Sequence, residues 1–273
     1  MKKKTKIILI ISFVIVFMTS FLLFCFWRYR DRDYTITIQD QEVSNQEVPE
    51  TLNIATYNVK LLNNGSDLDK FINDIEGLDL DIIALQEVDQ NAGRSNDMDM
   101  VKEMAEGAGY EYYYFYESMW LFDGSYGLGI ISKYPILEVT STELPAGTFS
   151  EPRILAGAKI DVNGEILHIY NTHLNYFNRG IRDSQVDAIT DIMKNQENTI
   201  FMGDMNNFFV EDIYTIDGFQ SLNTKDRTFV TFRESAFTDN IYYSDNLEVT
   251  DIIVTDTSFS DHRLFWCVVR LEK

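Results

Sequence analysis

Residues 52–89 read LNIATYNVKLLNNGSDLDKFINDIEGLDLDIIALQEVD, and this stretch decides the fold class. Two apolar runs of strand character, residues 52–57 and 80–85, stand near its two ends. Between them the apolar residues from Leu68 to Leu78 recur at the spacing of an amphipathic helix. The stretch therefore predicts two buried strands with a helix between them.

The same alternation continues to residue 271, with strands outnumbering helices. Two further helices are predicted, over 98–108 and 179–194. Further strands are predicted at 110–116, 127–132, 136–142, 153–161, 165–172, 198–203, 228–232, 239–243, 247–254 and 264–271. So many strands with so few helices exclude a Rossmann sheet or a (β/α) barrel. We expect an α/β (α+β) fold, a four-layer sandwich of two packed mixed β-sheets flanked by helices.

The N-terminal segment predicts a membrane anchor. Residues 7–27 carry no charge and, as a helix, would span roughly 30 Å, the thickness of the hydrocarbon core of a bilayer. The segment ends in bulky residues and not in the small ones that a signal peptidase needs. A helix buried in a soluble core is the alternative.

The sequence therefore divides into four predicted segments. They are a basic cytoplasmic tail (1–6), a transmembrane anchor (7–27), a juxtamembrane linker with a short strand at 34–38 (28–51) and a catalytic domain (52–273). Four lysines precede the anchor, so the positive-inside rule favours a single-pass protein of the cell membrane with an extracellular catalytic domain.

The charge is unevenly distributed. The formal net charge is −20, but residues 1–33 hold seven basic and two acidic residues. The rest of the chain has 16 basic and 41 acidic residues, a net charge of −25. A body of this charge repels phosphate backbones at long range, which excludes sequence-blind nucleic-acid binding through a broad basic patch.

Polar residues stand where predicted strands end or begin, and a rigid strand edge can hold such groups at fixed distances. Carboxylates with an amide and a histidine, but no cysteine, suit a hard cation such as Mg²⁺ or Mn²⁺. Taken singly, Glu87 could be a solvated strand end, Asn58 a turn residue, and Asp204 a helix cap. The candidates are Asn58, Glu87, Asn171, His173, Asp204, Asn206, Asp239, Asp261 and His262.

As an ordered set these residues resemble the endonuclease/exonuclease/phosphatase superfamily, the deoxyribonuclease I-like fold. The motifs are YNV, LQEVD, NTHL, GDMN and SDH, and the resemblance covers about residues 52–271. Weaker features are Arg94–Ser95, the segment 126–136, Arg153, Arg182 and Gln185, Thr231–Phe232, and Asp239. The chain departs from many relatives at Asn240, where they have an aromatic residue.

The resemblance implies a role for each residue. Glu87, Asn58 and Asp261 would hold the metal, Asp204 would be the base positioned by Asn206, and His262 would contact the phosphate while held by Asp239. His173 would give another donor, and Arg153, Asn171 and Tyr126 would bind substrate, with Arg153 as a bidentate phosphate clamp.

These roles predict a membrane-anchored, Mg²⁺-dependent phosphodiesterase, with a phospholipid head group as one possible substrate. A cell-surface nuclease on the same scaffold is the alternative, disfavoured by the acidic charge. A non-catalytic binding module is the third hypothesis. We expect a monomer. The aromatic residues within 110–125 could form either a core strand with a turn or a lipid-facing loop.

Overall fold

A computed structural model describes residues 3–29, 31–38 and 47–271, which form two compact units, Met1–Asp31 and Arg32–Lys273. The first unit holds helix α1 (Lys3–Tyr29), whose apolar side chains between residues 8 and 23 are largely exposed. In the described part of the chain, no helical stretch has both the length and the apolar character needed to cross a bilayer. The anchor stays a prediction. Residues 1–2 of the predicted tail, 30 and 39–46 of the predicted linker and 272–273 of the predicted catalytic domain lie outside the described residues.

The second unit holds all the strands of the described chain. They are β1 (Tyr34–Thr37), β2 (Thr51–Asn58), β3 (Ile82–Gln90), β4 (Tyr112–Leu121), β5 (Gly124–Ser132), β6 (Ile136–Glu143), β7 (Ile154–Val162), β8 (Glu165–His173), β9 (Thr199–Asp204), β10 (Phe219–Ser221), β11 (Asp239–Ser244), β12 (Glu248–Thr255) and β13 (Leu264–Arg270). Its helices are α2 (Leu62–Gly65), α3 (Leu68–Ile75), α4 (Met100–Ala108) and α5 (Arg179–Met193), with 3₁₀ turns at Gly93–Ser95 and Val210–Asp212.

The strands form two mixed sheets, as predicted. One has the order β12-β13-β2-β3-β5-β4 and the other the order β1-β6-β7-β8-β9-β11-β10. Each contains one parallel pair, β2 with β3 and β8 with β9, and all its other pairs are antiparallel. A parallel pair needs a crossover connection, which α3 and α5 supply.

Three apolar clusters separate four layers. The largest lies between the sheets and includes Ile54 and Ile130 from one and Ile169 and Ile200 from the other. A second cluster packs α3 and α4 on the outer face of the six-stranded sheet, and a third packs α5 on the outer face of the seven-stranded sheet. The four-layer arrangement follows because each sheet has two apolar faces to cover.

Several local predictions need adjustment. Residues 228–232 form no strand: the backbone N–H groups of Thr231 and Phe232 both donate to Ala236 O in a tight turn. Conversely, β10 was not predicted. The strand predicted near residue 34 does form, but it pairs with β6 and belongs to the second unit, although the sequence places it in the linker. The aromatic window 110–125 forms the hairpin β4–β5 with Phe122 exposed at its turn.

Candidate active site

The C-terminal ends of the two parallel strand pairs, β2–β3 and β8–β9, lie in the same region of the molecule. Asn58 lies opposite Gln86 in one sheet, and His173 lies opposite Asp204 in the other. Asp239, the first residue of β11, lies opposite Asp204 on its other side. A cavity of about 450 Å³ opens there, and its walls include eight predicted site residues: Glu87, Tyr126, Arg153, His173, Asp204, Asn206, Asp261 and His262.

Asp204 is the centre of the hydrogen-bond network. Its Oδ1 accepts from the backbone N–H of Asn206 at 2.9 Å, and its Oδ2 accepts from Asn58 Nδ2 at 3.1 Å. The Nε2 atoms of His173 and His262 lie 3.5 and 3.6 Å from the same Oδ2. Burial and the nearby Asp239 carboxylate raise the pKa of Asp204 above its ordinary value, against the opposing effect of His262. A carboxylate so held is oriented to accept a proton near neutral pH.

His262 and Asp239 form a buried dyad. His262 Nδ1 lies 2.9 Å from Asp239 Oδ2, which also accepts from Thr238 Oγ1 at 2.9 Å. Burial by itself would lower the pKa of His262, but the Asp239 and Asp204 carboxylates outweigh it and raise the pKa to about 9. The ring is therefore a cation at neutral pH, with its Nε2 turned toward Asp204 and the cavity.

His173 has the opposite character. Burial, the Arg153 guanidinium and the charge of His262 all lower its pKa well below 6.5. Its Nδ1 is buried without a hydrogen-bond partner in the described structure. One imidazolium and one neutral imidazole therefore flank the same carboxylate oxygen, so the two rings differ in what they can donate.

Glu87 is aimed into the cavity by a local irregularity of β3. Its φ is +56°, and the pairing of β3 with β5 shifts register between Gln86 and Val88. This is a β-bulge, which turns one side chain away from the regular alternation of the strand. The Glu87 Oε1 accepts from Asn58 Nδ2 at 3.1 Å, so Asn58 links Glu87 to Asp204.

Basic side chains line the cavity of this acidic protein. Four of them are present: Lys60, Arg94, Arg153 and Arg233. Arg153 is nearly buried and pairs with Glu151 at 3.0 Å, whereas Lys60 and Arg233 are mostly exposed and pair with Asp261 at 3.3 and 3.6 Å. The acidic lining groups are Glu87, Glu151, Asp204 and Asp261. With the His262 imidazolium, five cationic groups face four acidic ones, so the cavity is close to neutral, unlike the acidic body around it.

Two predicted substrate-binding residues have different surroundings. Tyr126 lines the cavity, and the Arg94 guanidinium lies 5.3 Å from the centre of its ring. Asn171 lies between the sheets, where its Nδ2 donates to the carbonyls of Leu85 and Gly129 and its Oδ1 accepts from Gln86. Asn171 is buried and does not line the cavity, so its contacts join the two sheets.

The donor atoms fit a hard divalent cation. Glu87, Asp204 and Asp261 offer oxygen atoms around one polar cavity, and no cysteine lines it. Asn58 is buried beside them, with its Nδ2 donating to Glu87 and Asp204 and its Oδ1 accepting from the backbone N–H of Lys60. Asp204, Asp239 and His262 also lie close enough together to hold an ion, with donor atoms within 4.8 Å of one another. However, the ring nitrogens of a protonated His262 cannot ligate a metal, and its Nδ1 is already bonded to Asp239. The oxygen set around Glu87 is the better candidate.

Sequence reasoning gave no role to several residues of the cavity wall. Arg94 is only a weak feature of the family resemblance, and in the structure its guanidinium donates two hydrogen bonds to the Asp89 carboxylate, at 2.8 and 2.6 Å. Glu151 stands two residues before Arg153, and burial raises its pKa. Lys60 stands two residues after Asn58, and this proximity to a predicted site residue was the available signal.

A larger cavity, of about 760 Å³, lies elsewhere, along α5 and the segment 211–219. Its lining holds six acidic residues but no histidine and none of the predicted site residues. Size alone would favour it, but the converging hydrogen bonds and the opposed histidine pKa shifts belong to the smaller cavity, which is therefore the candidate active site.

Comparison with known families agrees with this geometry. The model of the Endonuclease/Exonuclease/phosphatase family matches residues 55–262, which run from β2 to His262.

The chain belongs to the endonuclease/exonuclease/phosphatase family.

Members of this family are hydrolases that act on phosphoester bonds and depend on a divalent metal. No curated protein matches the chain.

Solved structures share the fold at low identity. An endonuclease/exonuclease/phosphatase from Beutenbergia cavernae DSM 12333 is 18% identical, with a TM-score of 0.67 over 82% of this chain and 72% of that one. D. rerio TDP2 complexed with a single-strand DNA product is 18% identical, with a TM-score of 0.65 over 82% of this chain and 100% of that one. A functionally unknown conserved protein from Enterococcus faecalis V583 is also 18% identical, with a TM-score of 0.63 over 81% and 100%.

Proposed function

We propose that this family member is a membrane-anchored, Mg²⁺-dependent phosphodiesterase. The observation that carries the proposal is the convergence of Asn58, His173 and His262 on one buried carboxylate oxygen of Asp204. That arrangement orients a base, and the four basic side chains beside it can bind a phosphate. A diester fits this chemistry because hydrolysis needs an activated water, charge neutralisation and help for the leaving oxygen.

Each residue has a defined task in this reaction. Asp204 accepts a proton from the attacking water, and Asn206 and Asn58 fix the orientation of its carboxylate. The His262 imidazolium, held by Asp239, donates from Nε2 to an oxygen of the phosphate, and Arg153 and His173 bind the remaining oxygens. Glu87, Asn58 and Asp261 would hold Mg²⁺, which neutralises negative charge on the phosphate.

The location is a further part of the proposal. The uncharged segment 7–27 would anchor the chain in the cell membrane, with the catalytic domain outside and residues 28–31 beginning the connection to it. An anchored domain meets lipid phosphodiesters at high effective concentration. A phospholipid head group is therefore the substrate class that we favour.

Asp204→Asn tests the mechanism. The change removes the proton acceptor but keeps the shape of the side chain, so turnover of a soluble chromogenic diester with Mg²⁺ should fall at least about a thousandfold. Asp191→Asn, an exposed carboxylate on α5, is the control and should keep its activity. Unchanged turnover by Asp204→Asn at intact circular dichroism would exclude this residue as the base.

A nuclease is the second candidate function. The charge balance of the cavity favours it, since 4 of the 16 basic residues beyond residue 33 line this one cavity. The similar fold of D. rerio TDP2, whose structure holds a single-strand DNA product, also supports a nuclease. Cleavage of an oligonucleotide should then fall steeply as salt rises, whereas hydrolysis of a zwitterionic lipid should change little.

A further inference from the structure

Four phenylalanines around the candidate active site are unusually exposed. They are Phe122 (81%), Phe149 (87%), Phe177 (92%) and Phe209 (66%), here called the phenylalanine rim. Single exposed apolar residues are common on protein surfaces, but several of the largest apolar type around one cavity indicate an interaction site. Each comes from a different loop, so the rim is a feature of the tertiary structure.

All four loops adjoin the cavity wall. Phe177 lines the cavity itself, and Phe209 follows Phe208, which also lines it. Phe149 stands two residues before the lining Glu151. Phe122 lies at the turn of the hairpin β4–β5, where the next residue, Asp123, accepts a hydrogen bond from Gly93 N beside the lining Arg94.

The loop that carries Phe177 is held rigidly. Arg182 Nη1 donates to the carbonyls of Asn175 and Tyr176, and the Gln185 Oε1 accepts from Asn175 N. Asn178 then caps α5 by accepting from Ile181 N. These bonds explain why Arg182 and Gln185 are buried on a surface helix. They present the aromatic ring to solvent in a fixed position, which lowers the entropy cost of binding.

The Phe209 loop is held in a similar way. The backbone N–H of Asp212 donates to Phe209 O at 3.0 Å, and the Asp212 carboxylate pairs with Arg179 at 2.6 Å. The ring of neighbouring Phe208 packs edge-to-face against Tyr176, at 5.5 Å between centroids. The two loops therefore support each other while their phenylalanines remain exposed.

Charge decides which partner fits the rim. Beyond residue 33 the chain carries −25, which repels a nucleic acid and also repels a second copy of itself. A zwitterionic bilayer has no net charge to repel. Its phosphates can meet the exposed Lys60 and Arg233 at the cavity while the phenylalanine rings enter the boundary between head groups and acyl chains.

We propose that the phenylalanine rim docks the catalytic domain on the surface of a zwitterionic bilayer, with the cavity facing the head groups. This inference rests on the proposed phosphodiesterase function and makes the diester of a bilayer phospholipid the substrate class. Docking leaves the site open toward the lipid and positions a head-group phosphate between the basic side chains and Asp204.

The test measures binding without turnover. The piece Arg32–Lys273 holds all three apolar clusters as one compact unit, and it lacks α1, which would enter vesicles by itself. Its partition onto phosphatidylcholine vesicles is measured by co-sedimentation with a chelator present. Each ring that leaves the interface costs about tenfold, so loss of all four costs about ten-thousandfold. The variant F122S/F149S/F177S/F209S should therefore partition at least about a hundredfold less, the loss expected from only two inserted rings.

Tyr113→Ser is the matched control. Tyr113 is an exposed aromatic residue of the same hairpin, near the opposite end of β4 from Phe122, and its loss should change partition less than about twofold. Thermal unfolding followed by circular dichroism checks that the quadruple variant is folded. Should it not fold, Phe122→Ser and Phe149→Ser are used singly, each with an expected loss of about tenfold.

Separate outcomes address the two proposals. Equal partition of the rim variant and the wild type would overturn the docking surface, as would a rim-dependent dimer in sedimentation or a rim-dependent loss of oligonucleotide binding. Hydrolysis of a soluble chromogenic diester, measured on the full chain with Mg²⁺, reports on the proposed function alone. Rim-dependent partition without any diester hydrolysis would contradict the proposed phosphodiesterase function and would still support the docking surface.

Discussion

At the scale of single residues, the site depends on how one buried carboxylate is surrounded. Asp204 Oδ2 accepts a hydrogen bond from Asn58 Nδ2, and the Nε2 atoms of His173 and His262 lie near the same oxygen. The rings differ because only His262 has a carboxylate partner of its own, Asp239, at 2.9 Å. An ion pair can overcome the desolvation that burial imposes, and His173, without such a partner, stays neutral.

The two histidines should therefore titrate far apart. In metal-free protein, nitrogen-detected NMR of the imidazole rings should show His262 protonated until the pH approaches about 9, and His173 neutral at pH 6.5. Asp239→Asn removes the main stabilising charge, so burial should then bring the pKa of His262 down. Two rings that titrate together near pH 6.5 would contradict this electrostatic account.

The same shift affects stability. Because the folded-state pKa of His262 is raised above the ordinary 6.5, its favourable contribution is complete below pH 6.5 and is lost as pH rises through about 9. The free energy of unfolding in urea should fall between pH 6.5 and 9.5 in the wild type, and fall less in Asp239→Asn. An equal slope in both proteins would assign the pH dependence to other groups.

At the scale of elements, irregularities in two strands orient side chains of the candidate active site. Gly203 in β9 has a φ of +146°, and a Cβ there would lie 2.0 Å from Thr172 O on the parallel neighbour β8. Glu87 in β3 occupies the left-handed region at a β-bulge. Both irregularities adjoin or contain a site residue, as expected where backbone strain is retained for function.

Gly203→Ala should displace the backbone that carries Asp204 and so disrupt the candidate active site. The added methyl group would push β9 away from β8, so we expect a loss of at least about 3 kcal/mol of stability and of nearly all activity, because Asp204 follows directly. Gly164→Ala is the control: φ there is +105° with no atom within 4 Å of the added Cβ, so only conformational strain applies. Urea unfolding of both variants compares the two, and equal losses would mean that the close approach to β8 is unimportant.

Two substitutions of Glu87 distinguish the effect of backbone strain from the effect of losing the carboxylate. Replacement by glycine or by alanine removes the same carboxylate and should abolish metal-dependent turnover in both variants. Glycine accepts a φ of +56° without strain. The free energy of unfolding in urea should therefore be about 1 kcal/mol higher for Glu87→Gly than for Glu87→Ala. Isothermal titration with Mg²⁺ checks the ligand role; undiminished binding by both variants would remove Glu87 from the metal site.

At the scale of the whole molecule, the second compact unit begins at Arg32, well before its first long strand, β2. Strand β1 pairs with β6 along residues 34–37, and Arg32 is 3% exposed, with its Nε donating to Ser118 O at 2.5 Å. Asp33 accepts from the backbone N–H of Glu143 at 2.6 Å. These contacts attach the start of the unit to the hairpin β4–β5 and to β6.

Truncation should show how much residues 32–38 contribute to the stability of the unit. The piece 47–273 lacks Arg32 and β1 and should be less stable than Arg32–Lys273 by about 2–4 kcal/mol, since buried bonds from a charged donor are lost and the edge of β6 is exposed. Midpoints of urea unfolding measure the difference, and Arg32→Met in the longer piece isolates the buried guanidinium. Identical midpoints for the two pieces would assign residues 32–38 to the linker.

Much of the fold could be read from the sequence because the pattern is local. The spacing of Leu68, Phe71 and Ile75 marks α3, and the apolar run before Gln86 marks β3. The strand predicted at 228–232 failed because Phe232 folds back on Ala236, an interaction that alternation does not encode. Three-residue β10 is too short to show a pattern at all.

The motifs at strand ends were equally local, so the sequence by itself determined the family and nominated Glu87, Asp204 and His262. Only the tertiary structure decided what these groups can do. It shifted the pKa values of the two histidines in opposite directions, placed Asn171 between the sheets, and gathered Lys60, Arg94 and Arg233 around the same cavity as Asp204. The physical reason is range: hydrophobic periodicity acts between near neighbours in the chain, whereas burial, pKa and charge balance depend on residues that meet only when both sheets are packed.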